Sequence, residues 1–122
     1  MSSENYEQTW GAAEESTIDA ATLADLKAKH GDIVHLKRAV DEEQFEAVFR
    51  YPTRVEYRKF KTEAGDEETK VTALETLVIA CCVHPDGPAF SAMLDRRPGL
   101  IDSFGNGLAR KAGLGEAKVV KK

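Results

Sequence analysis

The sequence predicts a small α+β domain, mainly helical, with one β-hairpin. Three observations support this class. Apolar residues recur every three or four positions in several segments, which is typical of helices packed on a core. One stretch, residues 33–50, instead alternates between two sets of side chains, as paired strands do. Glycines and prolines separate these segments at positions that suit turns and helix ends.

Length, composition and charge exclude several classes of protein. The 122 residues are 42% hydrophobic, which suits one modest core. A formal net charge of −4 argues against non-specific binding to nucleic acid, which needs a basic face. No apolar run reaches the roughly 18 residues of a membrane span. The polar, acidic start is not a secretory signal, and two cysteines suggest a reducing cytoplasm.

The chain divides into three parts. Residues 1–17 are rich in Ser, Glu and Gln and are expected to form a disordered acidic tail. Residues 18–113 form the single predicted domain, and residues 114–122 a flexible tail. Tyr6 and Trp10 stand out in the first tail. Two interpretations remain open for them: solvated aromatics, or a hook that orders on a partner.

The first elements are a helix and a hairpin. A helix is expected over residues 18–30, where apolar positions recur every fourth residue, and Gly31 suits its C-terminal end. Residues 33–50 then predict two paired strands, with Asp41–Gln44 near the turn.

A capping box begins the second helix. Thr53 can accept from the Glu56 N–H, while the Glu56 carboxylate reaches back to the Thr53 N–H. The helix is expected to run to about Thr62. We expect it to pack Tyr57 and Phe60 against the hairpin.

A third helix is predicted over residues 67–83, which become apolar on nearly every side toward their end. Pro85 forces the chain to leave the helix. The predicted buried stripe contains Val71, Leu74, Val78 and Cys81.

Two shorter helices complete the domain. Asp86 is a suitable N-cap for the first, which should end near Arg96 and Arg97. The last helix contains Gly105 and Gly107, which weaken a helix by about 1 kcal/mol each relative to Ala. Glycines at these positions suggest close packing or a hinge.

Neither cysteine is predicted to carry chemistry. Cys81 and Cys82 are adjacent, so on a helix their side chains diverge by about 100° and cannot readily share a metal or a disulfide. Their apolar surroundings do not favour a reactive thiolate, and a buried structural role is expected. No phosphate-loop, dinucleotide-binding or hydrolase motif occurs. We therefore expect no enzyme activity, no cofactor and no metal.

Three stretches in this order carry a resemblance to a known family: FRYPTRVEYRKF (49–60), CVHPD (82–86) and PGLIDSFGNGL (98–108). The chain resembles the tail assembly chaperones of long-tailed (siphovirus-type) bacteriophages and prophages over about residues 20–114. The resemblance implies a late protein of virion morphogenesis, located in the host cytoplasm and absent from the finished virion. It implies binding to the tape measure protein, which is kept soluble while the tail tube assembles.

Many members of that family are made in two lengths, the longer by a ribosomal frameshift, and this chain resembles the short form. The resemblance then implies contact with the tail tube protein through the longer form. The terminal Lys121-Lys122 is compatible with a slippery codon run, or is simply a solvated end. The sequence leaves self-association into a homo-oligomer open.

Six residues are candidates for binding a partner, provided that the face they share is only partly covered. The alternative for all but the tryptophan is a place in the core. They are Phe90, Met93, Leu94, Leu100, Phe104 and Trp10.

Two competing functions remain. The chain could be a small structural tail or head–tail completion protein that stays in the particle. It could also be a thiol-dependent enzyme, in which case Cys81→Ser would abolish a measurable activity.

Overall fold

The structure is a computed structural model and describes residues 17–115 and 117–120. Within them it contains helices and one antiparallel sheet, so the predicted α+β class with a hairpin is confirmed. The predicted tail of residues 1–17 lies outside the described residues except for Thr17. In chain order the elements are α1 (Ala20–His30), β1 (Ile33–Val40), β2 (Glu43–Arg50), α2 (Arg54–Ala64), α3 (Ala73–Cys81), β3 (Cys82–His84), α4 (Gly87–Arg96) and α5 (Leu100–Lys111).

The sheet has the strand order β1-β2-β3, and both pairs are antiparallel. Strands β1 and β2 pair from Ile33 opposite Arg50 to Val40 opposite Glu43. The two-residue turn between them is Asp41-Glu42, with φ of 51° and 70°. Left-handed φ at both central residues matches the twist of a tight hairpin, although glycine or asparagine is more usual there.

The predicted helix over residues 67–83 is wrong at both ends. Residues 66–72 form turns, and Val71 is 84% exposed rather than part of a buried stripe. At the other end the chain leaves the helix after Cys81 and forms β3, where Cys82 pairs with Phe49 and His84 with Val48. Pairing with β2 satisfies backbone groups that a longer helix would have satisfied internally.

The core lies between one face of the sheet and the helices α3, α4 and α5. At its centre the Phe49 ring meets Phe90 edge-on, with ring centres 5.8 Å apart, and Phe104 at 5.7 Å. Helix α5 lies very close to α3, since a Cβ added at Gly105 would be 2.3 Å from Leu74 Cγ. The glycine in α5 therefore allows close packing, one of the two roles that its position suggested.

Helix α1 covers the opposite face of the sheet, next to β1. Asp19 caps it by accepting from the Thr22 N–H at 2.7 Å, and it ends at Gly31, whose N–H donates to the Lys27 carbonyl at 2.9 Å. The expected glycine end is thus confirmed. Leu26 on the helix and Val48 on β2 are both buried, outside the cluster that forms the main core.

Glu46 is a buried carboxylate on this second face of the sheet, and only 3% of its side chain is exposed. It accepts from the backbone N–H and the hydroxyl of Thr17 and lies 2.9 Å from His35 Nε2. Hydrogen bonds of this kind offset the cost of removing a carboxylate from water. They also fix the point at which the chain enters the domain.

Helix α2 begins with the predicted capping box. The Glu56 N–H donates to Thr53 Oγ1 at 3.1 Å, and the Thr53 N–H donates to Glu56 Oε1 at 2.9 Å. Helix α2 packs chiefly against α3, both the Tyr57 and Phe60 rings are half-buried, and their centres lie 5.9 Å apart. Phe60 also packs against the main core, which contains hairpin residues as well as helical ones, so the expected packing of this ring on the hairpin is met in part.

Helices α4 and α5 follow as predicted. Asp86 caps α4 by accepting from the Ala89 N–H at 2.9 Å.

Residues 114, 115 and 117–120 are exposed and belong to no helix or strand. In the described part of the chain, no helix has the length and apolar character needed to cross a membrane.

Candidate partner-binding site

Four of the predicted partner-binding residues do not lie on the surface. Phe90, Leu94, Leu100 and Phe104 are at most 5% exposed and belong to the main core. Phe90 and Phe104 pack on each other, with ring centres 6.3 Å apart, and both contact Phe49 of the sheet, so these rings cover one another. They are therefore core residues in this structure, and the condition for partner contact is not met. Trp10 lies outside the described residues.

Met93 is the candidate that reaches the surface. It is half-buried and lines an open concave groove of about 350 Å³ between α4 and the start of β2. We call this the Met93 groove. Its lining consists of Glu43, Phe45, Ala89, Ala92, Met93 and Arg96.

The groove has an apolar floor and a charged rim. Phe45, 4% exposed, and the Met93 side chain form much of the floor, and two alanines leave space above it. On the rim, Arg96 donates to both carboxylate oxygens of Glu43 at 2.9 Å each. Unbranched methionine adapts to differently shaped apolar partners, so this arrangement suits the apolar side of a helix.

The arginines at the end of α4 also cover Phe45. The guanidinium carbon of Arg96 lies 5.8 Å from the centre of the Phe45 ring, and that of Arg97 lies at 5.9 Å. Arg97 is a second, more distant neighbour of Glu43, with 3.7 Å between Nη2 and Oε1. The sequence predicted these arginines as charges at a helix end. The structure shows that they also fix the hairpin to α4.

A sequence signal for the groove was present. Ala89, Ala92, Met93 and Arg96 recur at helical spacing and form one side of α4, beside the buried side that contains Phe90. Alanines beside a buried stripe have short side chains, so they leave a depression on the helix surface. The contributions of Glu43 and Phe45 could not be read in this way, because they come from a hairpin about fifty positions away.

Cys81 is buried at the end of α3 as the sequence predicted, whereas Cys82 lies on β3 and not on the predicted helix. Cys81 is fully buried in the core and Cys82 is half-buried, and both are free thiols. Burial raises the pKa of each thiol to about 11. Across residues 17–115 and 117–120, no group of three or more histidine, cysteine, aspartate or glutamate side chains is arranged to hold a metal ion.

Comparison with known proteins gives a family and a fold. No curated protein sequence matches the chain. Among solved structures, an uncharacterised protein from Bacillus stearothermophilus is similar, with a TM-score of 0.68 and 20% identity; the alignment covers 81% of this chain and 99% of that one. This likeness supports the fold alone. Residues 26–121 match the family described as Domain of unknown function (DUF6848). Because the match spans most of the chain, the protein belongs to this family.

Proposed function

We propose that the protein is a tail assembly chaperone of a long-tailed bacteriophage or prophage. In this role it binds a hydrophobic segment of the tape measure protein, keeps that protein soluble, and promotes tail tube assembly around it. The work takes place in the host cytoplasm, and the chaperone is absent from the finished virion. The sequence resemblance is the support for the tape measure protein as the partner, and the Met93 groove is the surface on which we place the contact in this proposal.

The single observation that carries the proposal is the character of the Met93 groove. A helix from an elongated partner is amphipathic, with an apolar side and a charged side. It therefore binds a surface that has an apolar centre and a charged rim. The groove offers Phe45 and Met93 below and the Glu43–Arg96 ion pair at the edge. Covering the apolar side of the partner removes the surface through which such chains aggregate.

The groove can be filled without disturbing the core. Ala92 is exposed and lines the groove, so Ala92→Gln places a longer neutral side chain inside it. Ser91 is exposed on the same helix but does not line the groove, so Ser91→Gln is a matched control. Glutamine is a good helix former, and each substitution should change the free energy of unfolding by less than about 0.5 kcal/mol.

The test is co-expression with the tape measure protein encoded by the same phage or prophage, followed by measurement of the soluble fraction of that protein. The unsubstituted chain and Ser91→Gln should keep it soluble, and Ala92→Gln should not. If the tape measure protein aggregates equally with and without the chain, the chaperone proposal is wrong. Mass spectrometry of purified virions separates the competing role, because a structural tail protein would be found in the particle.

A further inference from the structure

A second concavity lies next to the Met93 groove, where the end of β1 meets the start of α5. Its volume is about 260 Å³. Its lining contains two arginines and a serine hydroxyl but no carboxylate. We call it the arginine pocket, and its residues are Arg38, Val40, Arg97, Pro98, Gly99, Leu100 and Ser103.

Neither guanidinium in the pocket donates a hydrogen bond to a carboxylate of the described residues. Arg38 donates from Nη1 to the carbonyl oxygen of Ala39 at 3.1 Å, and it forms no ion pair with a carboxylate of residues 17–115 or 117–120. Arg97 forms only a loose ion pair with Glu43, with 3.7 Å between Nη2 and Oε1, while Arg96 donates two hydrogen bonds to that carboxylate. Arg97 Nη1 donates to the Arg96 carbonyl oxygen at 3.1 Å. Arg97 Nε is buried and has no acceptor within the same residues.

The surroundings favour an anion in the pocket. The N-terminus of α5, a helix of 12 residues, opens here, and Gly99 provides no side chain to cap it. The N–H groups of Leu100 and Ile101 already donate to the carbonyl oxygens of Arg97 and Pro98 at 2.9 Å and 3.0 Å, and Asp102 lies in the first turn, so the two guanidiniums supply most of the positive charge. The carboxylates of Asp41, Glu42 and Asp102 are close in sequence, but they are exposed and do not line the pocket.

The pocket and the groove share a wall. Arg38 is the cross-strand partner of Phe45, and the guanidinium carbon of Arg97 lies 5.9 Å from the Phe45 ring centre. Phe45 is at the same time part of the groove lining. One turn of a helix rises about 5.4 Å. A helix with its apolar side in the groove can therefore place a side chain one or two turns further along into the pocket.

The geometry points to a receptor for a carboxylate. The arginine pocket binds an aspartate or glutamate side chain of the same partner segment whose apolar side occupies the Met93 groove. This inference rests on the proposed function and specifies its partner: an amphipathic helix with an acidic residue one or two turns from its apolar anchors. Paired guanidinium donors suit the planar carboxylate and select against segments that lack it.

Each chain, unsubstituted or substituted, is co-expressed with the tape measure protein, and the complex is immobilised through a tag on the tape measure protein. Biolayer interferometry then gives the dissociation constant between the tape measure protein and that chain. It is measured at about 50 mM and about 500 mM NaCl, below and above physiological ionic strength. Arg38→Gln removes one guanidinium that has no ion pair to lose, and Arg58→Gln removes an exposed guanidinium from α2 as the control. Ala92→Gln reports on the groove itself.

We expect Arg38→Gln to weaken binding about three- to tenfold at low salt, as loss of one partly exposed charge-assisted hydrogen bond would do. The difference should shrink at high salt, and Arg58→Gln should bind like the unsubstituted chain. On the partner side, replacing one glutamate or aspartate of the protected segment by its amide should reproduce the loss and make Arg38→Gln silent.

Three results would overturn the inference, and they differ from one another. If Ala92→Gln abolishes binding while Arg38→Gln and Arg58→Gln have the same dissociation constant as the unsubstituted chain, the groove binds the partner but the pocket does not. Equal weakening by Arg38→Gln and Arg58→Gln would show diffuse attraction instead of a specific pocket. If no complex forms with the unsubstituted chain, the proposed function is wrong and the inference fails with it.

Discussion

Glu56 connects three elements, and its removal gives the most quantitative test of the fold. Its carboxylate accepts from Arg50 Nη1 at 2.7 Å and from Nη2 at 2.6 Å. It also accepts from the Thr53 N–H in the capping box. Arg50 Nη2 lies 3.0 Å from the carbonyl oxygen of Ala80 as well. The end of β2, the start of α2 and the last turn of α3 therefore meet at one ion pair.

The free energy that the ion pair contributes to folding can be worked out from the lowered pKa of Glu56. The hydrogen bonds from Arg50, followed by that from Thr53, lower the pKa of Glu56 from 4.5 to about 2 against the opposing effect of burial. That lowering sets an upper limit of about 3 kcal/mol on the stabilisation. Because 27% of the side chain is exposed, solvent screening reduces the expected value to about 1–2 kcal/mol.

Two substitutions separate the charge from the cap. Glutamine can still accept from the Thr53 N–H, so Glu56→Gln should lose only the ion pair, at a cost of about 1–2 kcal/mol. Glu56→Ala should cost about 1 kcal/mol more because the cap is lost too. Thr53→Ala alone should cost about 1 kcal/mol for the same reason. Glu67→Gln, on a side chain that is 88% exposed, is the control and should cost less than about 0.5 kcal/mol.

The stabilisation from Glu56 should decrease as the pH is lowered. The folded-state pKa of Glu56 is depressed, so its stabilisation is fully present above about pH 4.5 and is lost as the pH falls toward 2. Urea unfolding followed by circular dichroism at pH 7, 5, 3 and 2.5 should show the gap between the unsubstituted protein and Glu56→Gln closing over this range. A gap below about 0.3 kcal/mol at pH 7, or a gap at pH 2.5 that is as large as the gap at pH 7, would refute the reasoning.

Three further predictions concern packing. Gly105→Ala should destabilise the fold by about 1–2 kcal/mol, because overpacking against Leu74 outweighs the better helix propensity of alanine; Gly107→Ala, where the nearest contact is 3.1 Å, should cost less in the same urea titration. Cys81 should react with a thiol reagent at neutral pH only as fast as the protein unfolds, because it is buried and its pKa is raised to about 11, and rapid labelling in the native state would contradict this. Phe60→Ala should cost about 1–2 kcal/mol, less than for a fully buried ring, because its side chain is only half-buried against α3.

Helix ends were the most predictable features of the fold. The Thr53–Glu56 box, the Asp86 cap and the Gly31 terminus all occur where the sequence indicated them. Each depends on a hydrogen bond between residues at most four positions apart. Such signals are complete within a short window of sequence, so distant parts of the chain do not alter them.

Features that depend on distant pairing were not predictable in the same way. The apolar run that ends in Cys81-Cys82 suits either a buried helix or a buried strand. Cys82 becomes part of β3 because Phe49, far away in the sequence, supplies its partner. Likewise, Phe90 and Phe104 are buried against each other and against Phe49, which the hairpin brings to both rings. A stripe of apolar residues shows that a helix side is covered, but it does not show by what.

Both edges of the sheet discourage the addition of another strand. β1, at one edge, carries Lys37 and Arg38, so a second copy aligned beside it would bring positive charges together. β3, at the other edge, has three residues and is followed by Pro85, which has no N–H to donate. An edge strand with unpaired N–H and C=O groups is the usual route by which a sheet joins a fibrous aggregate. Here that route is obstructed at both edges, which leaves the helical surfaces for contacts that add no strand to the sheet.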